Sequence, residues 1–243
     1  MTPPLLELAE SPGAYVLPPH PWVVEGDGYI TLPRVTGVLT VQRVRLAPAR
    51  LEDARAEVRE LARARDVQRV EWCVSTLSEP ADLAERLALE RQETLAGLAL
   101  TSPPPPPGGF EVREIETLED YVRAQTIDAI ANEMPVLTNE RYAEMWEVAR
   151  ERFLVWLALD DGEPVGTARC ATSAYALLMI GGSVLPEARG RGVYRTLIAA
   201  RWQTAVARGV PALVTAANTQ SAPILRRLGF EELGAIDVYA ETL

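Results

Sequence analysis

The sequence predicts an α/β (α+β) fold, a β-sheet flanked by helices, organised in two domains. Three observations carry this reading. Residues 177–206 run from an apolar strand pattern through a glycine-rich turn into a helical pattern. Residues 103–107 are consecutive prolines followed by Gly108 and Gly109, a run that neither a helix nor a central strand accommodates. The segments on either side of that run share one order: strand, loop, helix, strand, helix, strand. The expected division is a first domain over 1–102, a stiff Pro/Gly spacer over 103–109 and a second domain over 110–243.

In the first domain, 37–46 reads as a strand ending in Arg45-Leu46-Ala47-Pro48. Residues 51–65 read as a helix with Leu51, Ala54, Val58 and Leu61 on one face. A strand over 67–75, a helix over 81–91 and a strand over 94–100 follow. Leu46-Ala47-Pro48 stands opposite Val184-Leu185-Pro186, so the segment reads as a diverged internal repeat; an unrelated α/β domain is the alternative. Its turn lacks the glycines, and Glu52 and Asp53 sit where a phosphate would need positive charge.

In the second domain, 110–115 reads as a strand and Thr117 to Asp120 as a capping box. The helix behind it carries Tyr121, Val122, Ile127 and Ile130, and 131–137 is a loop. Thr138 caps a helix over 139–150, and strands over 153–159 and 164–172 flank an Asp160-Asp161-Gly162 turn. The strand at 177–185 feeds the glycine-rich turn. Tyr194, Leu197, Ile198, Trp202, Ala205 and Val206 then lie on one helical face. Gly209 and Pro211 end that helix. A strand over 210–215, a short helix opened by Pro223 and a strand over 231–243 complete the chain.

The turn itself suggests chemistry. The first amides of a helix lack intrahelical partners, and the helix dipole favours negative charge there. Gly190 and Gly192 let the backbone approach a ligand, and Arg189 and Arg191 add positive charge beside it. A pyrophosphate needs this arrangement. No Gly-Lys-Ser/Thr follows, so the turn is not a Walker A loop, and Gly-x-Gly-x-x-Gly is absent.

The run from Arg189 to Val193 resembles the acyl-CoA-binding motif of the GNAT N-acetyltransferase superfamily, departing from it at Tyr194. Asn218 and Ser221, followed by Leu228-Gly229-Phe230, look like the second motif region of that family. The resemblance covers 110–243 and implies a mixed, mostly antiparallel sheet flanked by helices, with a smaller diverged GNAT-like domain before it. It implies acetyl-CoA as co-substrate, and as acceptor a primary amine on a small molecule or peptide. The pantetheine arm is expected along Val184 and Leu185, and the pyrophosphate on the amides of Arg189, Gly190, Arg191, Gly192, Val193 and Tyr194. Asn218 and Ser221 complete the cofactor set by the same resemblance.

Catalytic residues are harder to read. The strand at 177–185 carries no acid. Glu133, in the loop that lines the acceptor site in the family, is one candidate base, with a solvated loop glutamate as the alternative. The family's usual tyrosine acid falls at Leu225, so Tyr194 or Tyr239 would have to substitute. A catalytically silent acyl-CoA-binding protein, regulatory or scaffolding, is therefore the second reading.

Composition narrows the partners. All 24 basic residues are arginines, against 34 acids, for a net charge of −10. That balance argues against nucleic acid and anionic membranes. No apolar run reaches a membrane span and no signal pattern opens the chain, so a cytoplasmic protein, monomer or homodimer, is expected. Cys73 and Cys170 lie in strand patterns and His20 between prolines, with no metal-ligand spacing among them.

Overall fold

The computed structural model describes residues 3–34 and 37–243. The first half holds α1 (Leu5–Glu10), β1 (Val24–Gly26), β2 (Tyr29–Arg34), β3 (Val38–Gln42), α2 (Leu51–Ala64), β4 (Arg69–Ser75), α3 (Leu83–Arg86) and β5 (Glu90–Leu100). The second holds β6 (Glu111–Glu114), α4 (Leu118–Ala131), α5 (Asn139–Arg152), β7 (Phe153–Asp160), β8 (Glu163–Thr172) and β9 (Leu177–Val184). It continues through α6 (Val193–Ala207), β10 (Leu213–Ala217), α7 (Ala222–Arg227) and β11 (Glu231–Thr242).

Local chemistry sets most of these boundaries. Thr117 accepts the Asp120 amide at 3.2 Å and Thr138 the Arg141 amide at 3.4 Å, so both foreseen caps open their helices. Leu51, Ala54, Val58 and Ala62 form the buried stripe of α2. Two expectations fail. The helix over 81–91 shrinks to the single turn of α3, because Ala88 takes a left-handed φ of 48° and β5 begins at Glu90. Backbone pairing of β5 with β11 from Glu90 onward overrides the helical propensity of that segment. The elements α1, β1 and β2, ahead of residue 37, have no counterpart in the sequence reading; residues 35 and 36 lie outside the described part.

All strands join one sheet in the order β1-β2-β3-β4-β11-β5-β10-β9-β8-β7-β6. Only β3–β4 and β9–β10 are parallel, each joined by a helical crossover, α2 or α6. The two halves thus follow one plan, and each lends its last strand to the other. β5 pairs with β10 from Leu100↔Leu213 to Ala96↔Ala217. β11 pairs with β4 from Ser75↔Ile236 to Arg69↔Thr242. β5 and β11 pair with each other at the centre.

Side chains alternate across the sheet and build a core on each face. On one face, Ala99, Leu178 and Val214 pack with α1, while Val155 and Leu157 pack with α4 and α5. On the other, Val70 and Trp72 pack with α2, while Leu98, Trp156 and Leu177 pack with α6 and α7. Among the described residues no helix is long and apolar enough to cross a membrane.

Candidate active site

The site is built where β9 and β10 part. They pair only at Leu177↔Leu213 and Leu178↔Val214. Thr215 Oγ1 then bridges to the Met179 carbonyl at 3.2 Å, and no further rung joins the two strands. β9 stays paired with β8 as far as Val184, while β10 stays paired with β5 as far as Ala217. One edge of β9 beyond Leu178 is left without a strand partner, inside an eleven-stranded sheet.

The glycine-rich turn follows at once. Gly190 has φ 77° and Gly192, the N-cap of α6, has φ 95°, both in the left-handed region that a Cβ disfavours. A Cβ placed on Gly190 would meet no atom within 4 Å, so the turn faces open space. No side chain caps α6, and its first turn carries no acid. The corresponding end of α2 is occupied: Arg50 pairs with Asp53 and Glu57 at 3.0 Å each, and Tyr29 donates to Glu57 at 2.8 Å.

The predicted cofactor residues fall into two groups. Gly190, Gly192, Val193 and Tyr194 form the open turn and the first turn of α6. Arg189 and Arg191 shape it from behind. Arg189 donates to the carbonyls of Val184 at 3.3 Å and Ala131 at 2.9 Å, tying the end of β9 to the end of α4. Arg191 pairs with Asp160 at 2.8 Å and lies over the Phe110 ring. The Leu185 amide is spent on the Val165 carbonyl, so it does not belong to the unpaired edge. Asn218 Oδ1 accepts the amides of Gln220 and Ser221 and the Ser221 hydroxyl, which fixes the loop before α7.

The catalytic candidates are not brought together. Glu133 is exposed, in a turn after α4. Tyr239 lies on β11 opposite Trp72 and packs in the first half's core. Leu225 is buried in the core beneath α7. Tyr194 lies against β9, where Gly182 has no Cβ to obstruct its ring.

Beside that ring is a fully buried cation. Arg201 of α6 donates to the Leu197 carbonyl at 3.2 Å and the Gly181 carbonyl at 3.2 Å and stacks on Tyr194. Its Nη2 has no hydrogen-bond partner, and it forms no salt bridge among the described residues. Burial pushes the neighbouring Cys170 thiol up to about 11, which leaves it protonated and a poor nucleophile.

On the opposite face of β9 lies a polar cluster that the sequence reading missed. Ser183 Oγ donates to Asp128 Oδ1, and Asn132 Nδ2 reaches both Ser183 Oγ and Asp128 Oδ1 at 3.1 Å. Asp128 also lines a narrow, solvent-open cleft with Gln125, Arg169, Gly181 and Gly182; its cavity volume is about 10 Å³. Gln125 and Asp128 of α4 and Asn132, its C-cap, recur at helical spacing, a polar stripe beside the buried Tyr121, Ala124 and Ile127. That stripe was the one available signal.

Comparison with known proteins decides the family. Residues 126–230 match the sequence profile of the acetyltransferase (GNAT) family. Residues 126–230 are therefore similar to a GNAT-family domain. A GCN5-related N-acetyltransferase from Kribbella flavida superposes with a TM-score of 0.70 at 18% identity, covering 97% of this chain and 94% of its own. A tandem GNAT protein from the clavulanic acid biosynthesis pathway gives 0.65 at 18% identity, covering 99% and 88%. A GCN5-related N-acetyltransferase from Sphaerobacter thermophilus gives 0.66 at 21% identity, covering 88% and 76%. At these identities the likeness establishes the fold, which here extends beyond the GNAT segment to nearly the whole chain. No curated protein sequence matches the chain.

Proposed function

We propose that residues 110–243 form an acetyl-CoA-dependent N-acetyltransferase acting on a primary amine of a small molecule or peptide. The segment 1–102 is read as a diverged repeat that completes the sheet and does not hold the cofactor. The carrying observation is the open, uncapped first turn of α6 next to the unpaired edge of β9. The turn offers amides and a helix dipole to a pyrophosphate, and the edge offers backbone groups to an amide-bearing arm.

Acetyl-CoA supplies an acetyl thioester whose carbon bonds the amine nitrogen as its C–S bond breaks. An alkyl ammonium with a pKa of about 10.4 costs about 4.6 kcal/mol to deprotonate at pH 7. Asp128 is the side chain placed to anchor the ammonium and take its proton, held by Ser183 and Asn132 beside the β9 glycines. β9 amides polarise the thioester carbonyl. Arg201 holds a fixed positive charge against Gly181, where negative charge develops on oxygen and sulfur.

The test follows free thiol in a panel of amines with acetyl-CoA. Amine-dependent thiol release is expected. Acetyl-CoA binding with no release from any amine would instead support the silent acyl-CoA-binding protein, the reading favoured by Leu225 in the tyrosine position.

A further inference from the structure

The cleft between α4 and β9 holds a second charge. Arg169 projects from β8 into it, opposite Gly181 on β9. Its Nε is buried with no hydrogen-bond partner, and its guanidinium lies 5.5 Å from the centre of the Phe153 ring. It forms no salt bridge among the described residues. Asp128 lines the same cleft, yet the two do not pair. Arg169 is only half-buried, so its open side faces the cleft without a protein anion, and a carboxylate is the group such a guanidinium pairs with best.

Between the two charges the strand carries no side chain at Gly181. Ser183, which meets Asp128, and Gly181, which faces Arg169, are two residues apart on one strand and so point to the same side, about 6.7 Å apart. A Cβ on Gly181 would meet only Arg169 Nη2, at 4.0 Å. Packing therefore does not demand a glycine there; the missing side chain leaves room over the strand. Two opposite, unjoined charges across such a gap match a small zwitterion.

Building on the acetyltransferase reading, we propose that the acceptor is a free amino acid or a comparably short amino carboxylate. Its ammonium rests on Asp128 and its carboxylate on Arg169. Acetylation removes the positive charge and leaves the carboxylate, so the product keeps only the Arg169 contact.

The experiment compares kcat/KM for glycine, β-alanine and larger α-amino acids with their methyl esters and with simple alkylamines. A preference of about 100-fold for the carboxylate-bearing amines is expected, the effect of one charge-assisted pair. Arg169→Met is expected to erase that preference through KM while acetyl-CoA still stabilises the protein against heat. Gly181→Val is expected to raise acceptor KM by filling the floor, without a fall in melting temperature. Esters or alkylamines acetylated as well as amino acids would overturn the proposal.

Calorimetric titration of the same amino acids into the protein with CoA separates this proposal from the enzyme reading. Binding that Arg169→Met abolishes, without turnover, would support the zwitterion site and sink catalysis. Neither turnover nor binding of any amino acid would overturn the site.

Discussion

Glu241, on the last strand, accepts a hydrogen bond from Arg59 Nη2 at 2.6 Å across 182 residues of sequence. Arg55 Nε joins it at 3.0 Å, and Trp72 Nε1 donates to the other carboxylate oxygen. This nearly buried contact fastens β11 to α2, pinning the last strand onto the first half. Burial pushes the Glu241 carboxyl up, but Arg55 and Arg59 outweigh it and leave it below its ordinary value. A depressed carboxylate stabilises the fold above its unfolded pKa, and the contribution fades as pH falls through the folded one. Glu241→Gln is expected to cost about 2–4 kcal/mol at pH 7, since it strands two guanidinium groups. Urea titrations of both proteins should show the gap constant from pH 8 to 6 and closing below about pH 4.5. A gap that persists unchanged in acid would contradict the assignment.

The cofactor turn has its own test. Acetyl-CoA at about 100 times its dissociation constant should stabilise the protein by about 2.7 kcal/mol. Gly192→Glu places a carboxylate at the N-cap of α6 and a side chain at a φ of 95°. Thermal unfolding should show the shift in the native protein and lose it in the variant. If the native protein shows no shift, the turn is purely structural.

Asp128 and Glu133 make a contrasting pair. Asp128→Asn keeps the shape of the Ser183–Asn132 cluster but removes the charge, and kcat should fall by about 100-fold or more. Glu133→Gln alters an exposed side chain and should leave kcat within about twofold. Steady-state kinetics on one amine distinguishes them, and the reverse order would return the base to the loop.

Residues 110–243 expressed alone lose β5 and β4. Both long edges of β11 and one of β10 then lie open, which invites association with another copy. Light scattering on that fragment should report dimers or aggregates. A stable, well-folded monomer would show that the borrowed strand is dispensable.

The GNAT half was legible because its signals are local. Thr117 and Thr138 cap helices within three residues, and Gly190 and Gly192 announce a left-handed turn ahead of a strongly periodic helix. The first half was half legible: α2 and β4 follow from their periods, but 81–91 looks helical until β11 is there to pair with it. A strand pattern does not name its neighbours, so the exchange of β5 and β11 left no trace in composition. Asp128 and Ser183 are 55 residues apart and meet only through packing of α4 on the sheet. Arg169 and Arg201 read as two arginines among 24, and only the buried, unpartnered nitrogen each carries in the fold sets them apart.

The exchanged strands also put a clock on biosynthesis. A ribosome delivers the amino-terminal half first, and domains generally fold as they emerge. Here β4 must wait for Ile236 to Thr242, and β5 must wait for both β10 and β11. The half without a cofactor turn therefore keeps an open edge until β11 has been made. The halves finish together once β11 has emerged, and a chain without Glu231–Thr242 completes neither.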